Sequence, residues 1–217
     1  AVASGQRTLS ETDSKAVLAA FGIPVAQTVV THSADEAVEV ASRIGFPVVM
    51  KIHSDDVTHK SDVGGVLLDL TTPDQVRAAW SQIGQNVLAA RPDARVAGIA
   101  IEPMIVKPNG REIMVGVLRD PVFGPLIALG AGGTQVELIS DRAVALPPLN
   151  GLLARNLIDR TRVAATLAAW RGMPAADLDA LEEVLLRVSE MVCELPWLEQ
   201  LDINPLILDE HGAVAAD

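Results

Sequence analysis

Between residues 26 and 90 strand-like apolar runs alternate with capped helical segments, and this rhythm constrains the fold more than any single motif. "AQTVVTH" (26–32) reads as a strand, and "SADEAVEVASRIG" as a helix with Ser33 as N-cap, Glu36 three residues on and Gly45 past its end. "FPVVMKI" (46–52) follows as a buried strand, "VGGVLLDL" (63–70) as another, and "TPDQVRAAWSQIGQNVLAA" as a second capped helix. The expected unit is β-α-β-β-α. From Val96 the texture changes. "VAGIAIEPM", "REIMVGVLRD", "FGPLIALG", "TQVELI" and "RAVALP" are short apolar runs broken by Gly, Pro and Asp, the pattern of an antiparallel sheet. Three helical segments follow, "LNGLLARNLI", "TRVAATLAAWRG" and "DLDALEEVLLRVSEMVCEL", and in the last Leu178, Leu181, Val184, Leu185, Val188, Met191, Val192 and Leu195 form one apolar stripe. "LEQLDINPLILD" and "GAVAAD" close the chain as strands. The expectation is an α+β protein of two lobes: a leading helical segment over 1–22, a first lobe over 23–95, a hinge near Arg91–Arg95 and a second lobe over 96–217. A cleft between such lobes is a natural ligand site.

Composition narrows the function classes. With 49% hydrophobic and 21% charged residues the chain can build a packed core. A net charge of −11 argues against nucleic acid, whose phosphates demand a basic surface, but not against a small phosphorylated ligand held by a few local cations. Tyr is absent and aromatics total 3%, so no base-stacking platform exists. No window approaches the ~20 apolar residues of a membrane span, and the N-terminus has no signal-peptide pattern. The single cysteine, Cys193, excludes an internal disulfide and suits a reducing cytosol; its place in an apolar helical pattern reads as buried.

Two common nucleotide grips are missing: there is no Gly-Lys dipeptide for a Walker A loop, and "GAGGTQ" (130–135) lacks the third Gly of a dinucleotide fingerprint. The unusual residues lie elsewhere. Lys51 closes an apolar strand, where a charge needs a partner or a bound anion, although a snorkelling lysine fits the local pattern equally. Glu102 and Glu112 are acids at the edges of apolar strands, and three such charges begin to line a cleft. Asp202 and Asn204 share a strand face, with Asp217 on the next strand; their oxygens suit Mg²⁺, though on the local residues an Asx pair forming a turn before Pro205 is the stronger reading. "DVTHKSDVGGV" (56–66) places an imidazole, an ammonium and two glycines in one loop. His53 also stands where it could line a cleft, whereas His32 and His211 read as surface residues. "GAGG" (130–133) is as readily a turn as a small anion nest.

"PVVMKI", "HKSDVGGV", "GREIMVGVLRDPVFGPLIALGAGG" and "LDINPLI", in that order, resemble the ATP-grasp domain of ADP-forming acyl-CoA synthetases, acetate–CoA ligase among them, which are relatives of succinyl-CoA synthetase. The resemblance covers essentially the whole chain. It implies an ATP-grasp fold whose two α+β lobes clamp ATP or ADP with Mg²⁺, and a route in which acyl-CoA and phosphate give an acyl phosphate, a histidine takes the phosphoryl group, and ADP receives it. On this resemblance Lys51 contacts the nucleotide phosphates, and Glu102, Met104 and Ile105 form the segment that meets adenine. Glu112 closes on the sugar side. Asn204 and Asp217 hold the metal, with Asp202 a third candidate. His59 falls where the family carries a histidine in an "HK" loop, the group that takes the phosphoryl and swings it to the nucleotide. Neutral imidazole is a competent nucleophile near pH 7, its ordinary pKa being ~6.5. Lys60 would neutralise phosphoryl oxygens, and Gly64 and Gly65 would let backbone approach the phosphate or bend as the loop travels. A solvated loop histidine is the plain alternative for His59.

The chain departs from the family in two respects: it shows neither a CoA-binding Rossmann lobe nor the lobe carrying the family's other histidine. The expectation is therefore one domain of a longer enzyme, or one subunit, cytoplasmic, with its CoA-binding and ligase domains as partners. A second reading makes it the regulatory module of a fused protein acetyltransferase. An ATP-grasp amide ligase or carboxylase would share the clamp but not the "HKSDVGGV" loop.

Overall fold

The computed structural model describes residues 8–57, 59–133 and 141–217. The chain divides into two compact units, Ala1–Ser14 with Ala26–Val106 and Lys15–Val25 with Lys107–Asp217. The division follows Val106, not the Arg91–Arg95 segment that composition suggested. Arg95 is instead tied into the first unit, its backbone N–H and guanidinium all donating to the Asp56 carboxylate at 2.8 to 3.0 Å.

The first unit carries α1 (Glu11–Ala20) by its first turn, then β1 (Val29–Thr31), α2 (Ala34–Ile44), β2 (Val48–His53), a 3₁₀ turn (Ser61–Val63), β3 (Val66–Leu70), α3 (Pro73–Ala90) and β4 (Gly98–Pro103). Its sheet runs β1-β4-β2-β3, every pair antiparallel. Thus β4, which the change of texture at Val96 assigned to the second lobe, inserts between β1 and β2. Its apolar run Gly98–Ile101 is buried on both sides, as a central strand requires. The capping signals operate as read. The Ser33 hydroxyl accepts the Glu36 N–H at 3.2 Å, and the Glu36 carboxylate accepts the His32 N–H at 2.7 Å. Thr72 accepts the Gln75 N–H ahead of Pro73. Val40, Val76, Ile83 and Val87 from the two helices pack with Met50, Ile52 and Ile101 of the sheet.

The second unit holds β5 (Arg111–Asp120), β6 (Gly124–Ala131), β7 (Arg142–Ala145), α4 (Gly151–Asp159), α5 (Ala164–Leu167), α6 (Leu178–Glu194), β8 (Gln200–Asp209) and β9 (Gly212–Ala215). Its antiparallel sheet runs β7-β6-β5-β8-β9. The "TQVELI" run lies outside the described residues. The α6 stripe packs as its periodicity indicates, with Leu181, Val184, Leu185, Val188, Met191 and Val192 buried against Ile113, Val115, Leu129, Ile203 and Leu206. Cys193, next in line, is exposed, because it falls just off that stripe. Among the described residues no helix is long and apolar enough to cross a membrane.

"TRVAATLAAWRG" does not stay helical beyond Leu167. Arg171 and Gly172 take positive φ, and Trp170 and Met173 exchange backbone hydrogen bonds across a tight turn. The Thr166 carbonyl, which would serve a helix, accepts instead from the buried Arg111 guanidinium, which also donates to the Asn109 and Pro174 carbonyls.

Lys107 donates to Asp209 Oδ1 at 2.5 Å and to the Gly212 carbonyl at 3.2 Å, closing the β8–β9 hairpin. Burial by itself would raise the Asp209 carboxyl. The Lys107 ammonium and the His211 N–H override it and hold the group below its ordinary 3.8. A depressed carboxyl stabilises the fold above its unfolded pKa, and that contribution disappears as pH falls through the folded value. In thermal melts, Asp209→Asn is therefore expected to lower Tm most at pH 7, the gap to wild type closing below pH 4. A gap independent of pH would show that the ion pair contributes nothing.

Candidate functional site

In the first unit β2 ends by carrying Lys51 into the sheet, 8% exposed and opposite Ala100 of β4. A buried ammonium needs carboxylate partners, and it has two. Its Nζ lies 2.8 Å from Glu11 Oε1 and 3.1 Å from Glu102 Oε2. Glu102, 3% exposed on β4, is oriented by the Thr28 hydroxyl, which donates to its Oε1 at 2.7 Å. Met104 and Ile105 leave β4 half-buried, the Met104 N–H donating to the Pro47 carbonyl at 2.9 Å. Glu11 was not singled out from the sequence. It stands in the first turn of α1, where an acid is ordinary, and its partners lie 40 and 49 residues away along the chain.

The loop between β2 and β3 is anchored on both sides of an exposed His59. Before it, Val57 is buried and Asp56 is clipped to Arg95, whose guanidinium hydrogen bonds hold that carboxyl far below its ordinary value. After it, Lys60 Nζ lies 2.5 Å from Glu11 Oε2. Gly64 and Gly65 each have a local structural reason to lack a side chain. Gly64 has φ +62°, and a Cβ there would stand 2.7 Å from the Asn86 amide; one on Gly65 would meet Ile52 at 2.7 Å and the Lys60 carbonyl at 2.9 Å. Asn86 also donates to the Gly64 carbonyl at 3.0 Å. Lys51, Glu102 and Lys60 are thus brought together, with His59 adjacent to Lys60 in the chain. His53 is half-buried on β2, while His32 and His211 are exposed as read.

In the second unit β8 carries a bulge between Ile203 and Leu206, facing the register shift from Ile113 to Val115 of β5. The bulge holds Asn204, whose Oδ1 accepts the Gly133 N–H at 2.8 Å. Glu112 is exposed on β5, and its carboxylate lies where a Cβ on Gly133 would stand, 1.6 Å from that position. The Gly132 N–H goes to the Glu112 carbonyl. Both glycine N–H groups therefore serve protein acceptors, which removes the anion-nest reading of "GAGG" and replaces it with close packing. The Asn204 N–H donates to the Asp217 carbonyl at 3.1 Å, setting the strand end that carries Asp217 beside β8. Asp202 lies above its ordinary carboxylate value, first from withdrawal from water and then from the Asp217 charge, with Arg142 opposing. Asp202 and Asp217 feel each other's charge, and Asn204 offers an amide oxygen on the same stretch of β8, so the donors available here are all oxygens. Among the described residues no group of three His, Cys, Asp or Glu is placed to cage a metal by itself. That donor set fits Mg²⁺, which takes one or two protein carboxylates and completes its shell with water and phosphate.

Comparison with known proteins agrees with this architecture. A family profile described as an ATP-grasp domain matches residues 1–217. The acetate–CoA ligase (ADP-forming) I subunit beta of Pyrococcus furiosus is 38% identical over 211 residues, 97% of this chain and 90% of that subunit. A structure of the Ca. Korarchaeum cryptofilum dinucleotide-forming acetyl-coenzyme A synthetase 1 with coenzyme A, Ca-AMPCP and HgCl+ superposes with a TM-score of 0.94 at 36% identity, covering 99% of this chain and 93% of that one. The same synthetase with coenzyme A and Mg-AMPPCP, its phosphohistidine segment pointing towards the nucleotide binding site, superposes with a TM-score of 0.85 at 33% identity, covering 99% and 92%. With a profile match from end to end and a relative this similar over nine-tenths of its length, the chain belongs to the ATP-grasp domain family, alongside the beta subunits of ADP-forming acetate–CoA ligases.

Proposed function

We propose that this chain is the nucleotide-binding part of an ADP-forming acid–CoA ligase and moves a phosphoryl group between a histidine and ADP. The observation that carries the proposal is Lys51, a buried cation held between two carboxylates beside the loop that bears His59. An ammonium buried there has its geometry set in advance for a phosphate oxygen. Lys51 takes the phosphates, and Glu102, Met104 and Ile105 meet the adenine. Glu112 approaches the sugar, and Asn204 and Asp217, with Asp202, are the residues that would hold magnesium. Bound there, the ion would draw charge from the phosphate oxygens and fix their orientation.

The step at His59 balances simply. An imidazole nitrogen bonds to phosphorus as the donor's P–O bond breaks. An oxygen of the ADP terminal phosphate then attacks that phosphorus, and the P–N electrons return to the ring. Lys60 offsets the charge of the phosphoryl oxygens on the way. The CoA-binding and ligase domains supply the acyl phosphate; the similar Pyrococcus furiosus protein is named as one subunit of its ligase, which fits a division of the enzyme into parts. The similar proteins described above are ligases and synthetases and lend nothing to an acetyltransferase's regulatory module.

Calorimetry tests the nucleotide site. ATP and ADP are expected to bind only with Mg²⁺ present, and AMP at least about tenfold more weakly, since a lost phosphate removes charge-assisted contacts of about 1.5–3 kcal/mol each. Equal affinity for the three nucleotides, or indifference to Mg²⁺, would overturn the proposal.

A further inference from the structure

We infer that Glu11 is a positioning residue for the phosphoryl relay: its two carboxylate oxygens hold Lys51 and Lys60 at a set spacing and thereby set where His59 stands relative to the nucleotide phosphates. The inference rests on the function proposed above and deepens it.

Three features carry it. The first is bidentate geometry. Oε1 of Glu11 meets Lys51 at 2.8 Å and Oε2 meets Lys60 at 2.5 Å, so one planar group links the phosphate lysine to the residue next to His59. The second is burial. The Glu11 side chain is 10% exposed and its two partners 10% and 17%, where solvent and salt screen an ion pair far less than at the surface. The third is that Lys51 does not need Glu11 for neutrality. Glu102 compensates Lys51 from the sheet at 3.1 Å, with its own orientation fixed by Thr28. A second carboxylate at a phosphate site repels the anion it should receive. Its retention there is accounted for by what its other oxygen does, which is to hold the loop.

The support behind Glu11 is built as well. The Ser10 hydroxyl accepts the Asp13 N–H at 3.1 Å and donates to the Asp13 carboxylate at 2.9 Å, fixing the first turn of α1 from which Glu11 projects. When a nucleotide phosphate takes Lys51, the carboxylate keeps Lys60, and the loop stays registered to the site through the exchange.

The test uses the chain assembled with the remaining domains of the ligase and γ-³²P-ATP with Mg²⁺. In that direction a His59 nitrogen bonds to the γ-phosphorus, the P–O bond breaks, and ADP leaves with the electron pair. Glu11→Gln is expected to slow single-turnover labelling of His59 about 100-fold, the scale of an ångström-sized misplacement. The MgATP dissociation constant, read by calorimetry, is expected to stay level or fall, because a negative charge has left the phosphate site. A purely electrostatic or purely structural Glu11 would not give that split. Labelling within threefold of wild type overturns the inference, and so does a loss of affinity that accounts for all of the slower labelling. Should Glu11→Gln fold poorly, Lys60→Gln keeps both Lys51 ion pairs and is expected to slow labelling without weakening MgATP; full-rate labelling of that variant overturns the inference equally. Wild-type enzyme that binds MgATP yet never carries label on His59 removes the relay reading itself, and the role of Glu11 with it.

Discussion

His59→Asn is expected to abolish turnover of the assembled ligase while leaving MgATP binding within about twofold of wild type. Asparagine keeps a polar side chain in an exposed loop position, so folding stability should change by no more than about 0.5 kcal/mol. It has no nitrogen able to form the P–N bond. Deleting a covalent nucleophile lowers turnover by about 10⁴-fold or more where the nucleophile carries the chemistry. Acid-labile, base-stable label from γ-³²P-ATP should disappear together with activity. The pairing of the two readouts matters: lost label with normal turnover would mean that the phosphoryl group bypasses His59, and the exposed imidazole would then be an ordinary loop residue.

Lys51→Met is expected to be the most destabilising change among the site residues. It removes the cation from between Glu11 and Glu102, and with it one ion pair of a carboxylate that is 3% exposed. Breaking a buried pair by removing one partner costs about 3–5 kcal/mol, chiefly from the charge left behind. For a chain of this size that corresponds to a Tm lower by about 10 °C. The double variant Lys51→Met with Glu102→Gln is expected to recover part of the loss, since it also removes one buried negative charge from the site. Nucleotide binding should be lost in both. A Lys51→Met protein that melts with wild type would mean that Lys51 is not buried as described, and one that still binds MgATP would remove it from the phosphate site.

Local signals in the sequence were a good guide wherever the physics is local. The Ser33–Glu36 cap, the Thr72–Pro73 start and the α6 stripe depend on neighbours within four residues, and each is found where the pattern put it. Lys51 was conspicuous because a lysine closing an apolar strand violates the pattern around it. Glu11 violated nothing, and its significance arises only from pairings that cross 40 and 49 residues of chain. The same limitation explains β4. Its run looked like the first of a series, but strand order depends on which edge is open, and β2 and β1 left a central gap that β4 fills. The helical reading of "TRVAATLAAWRG" failed for a related reason. Arg111, more than 50 residues earlier, claims the Thr166 carbonyl and ends the helix. Gly64 and Gly65 stood out as loop glycines, but their contacts with Asn86 and Ile52, which occupy the space a side chain would need, come from residues distant in the chain or across the sheet and are invisible in the local pattern.

The clip between Asp56 and Arg95 makes the loop an arm of limited length. Only three residues lead from that clip to the imidazole, and a fully extended run of three reaches about 10 Å. While the clip holds, the His59 backbone stays inside a sphere of that radius, and the imidazole reaches beyond it only by the length of its own side chain. A longer journey requires the clip to open. Arg95, its side chain 86% exposed, forms the kind of surface pair that ions screen readily. The working radius of the arm therefore depends on ionic strength.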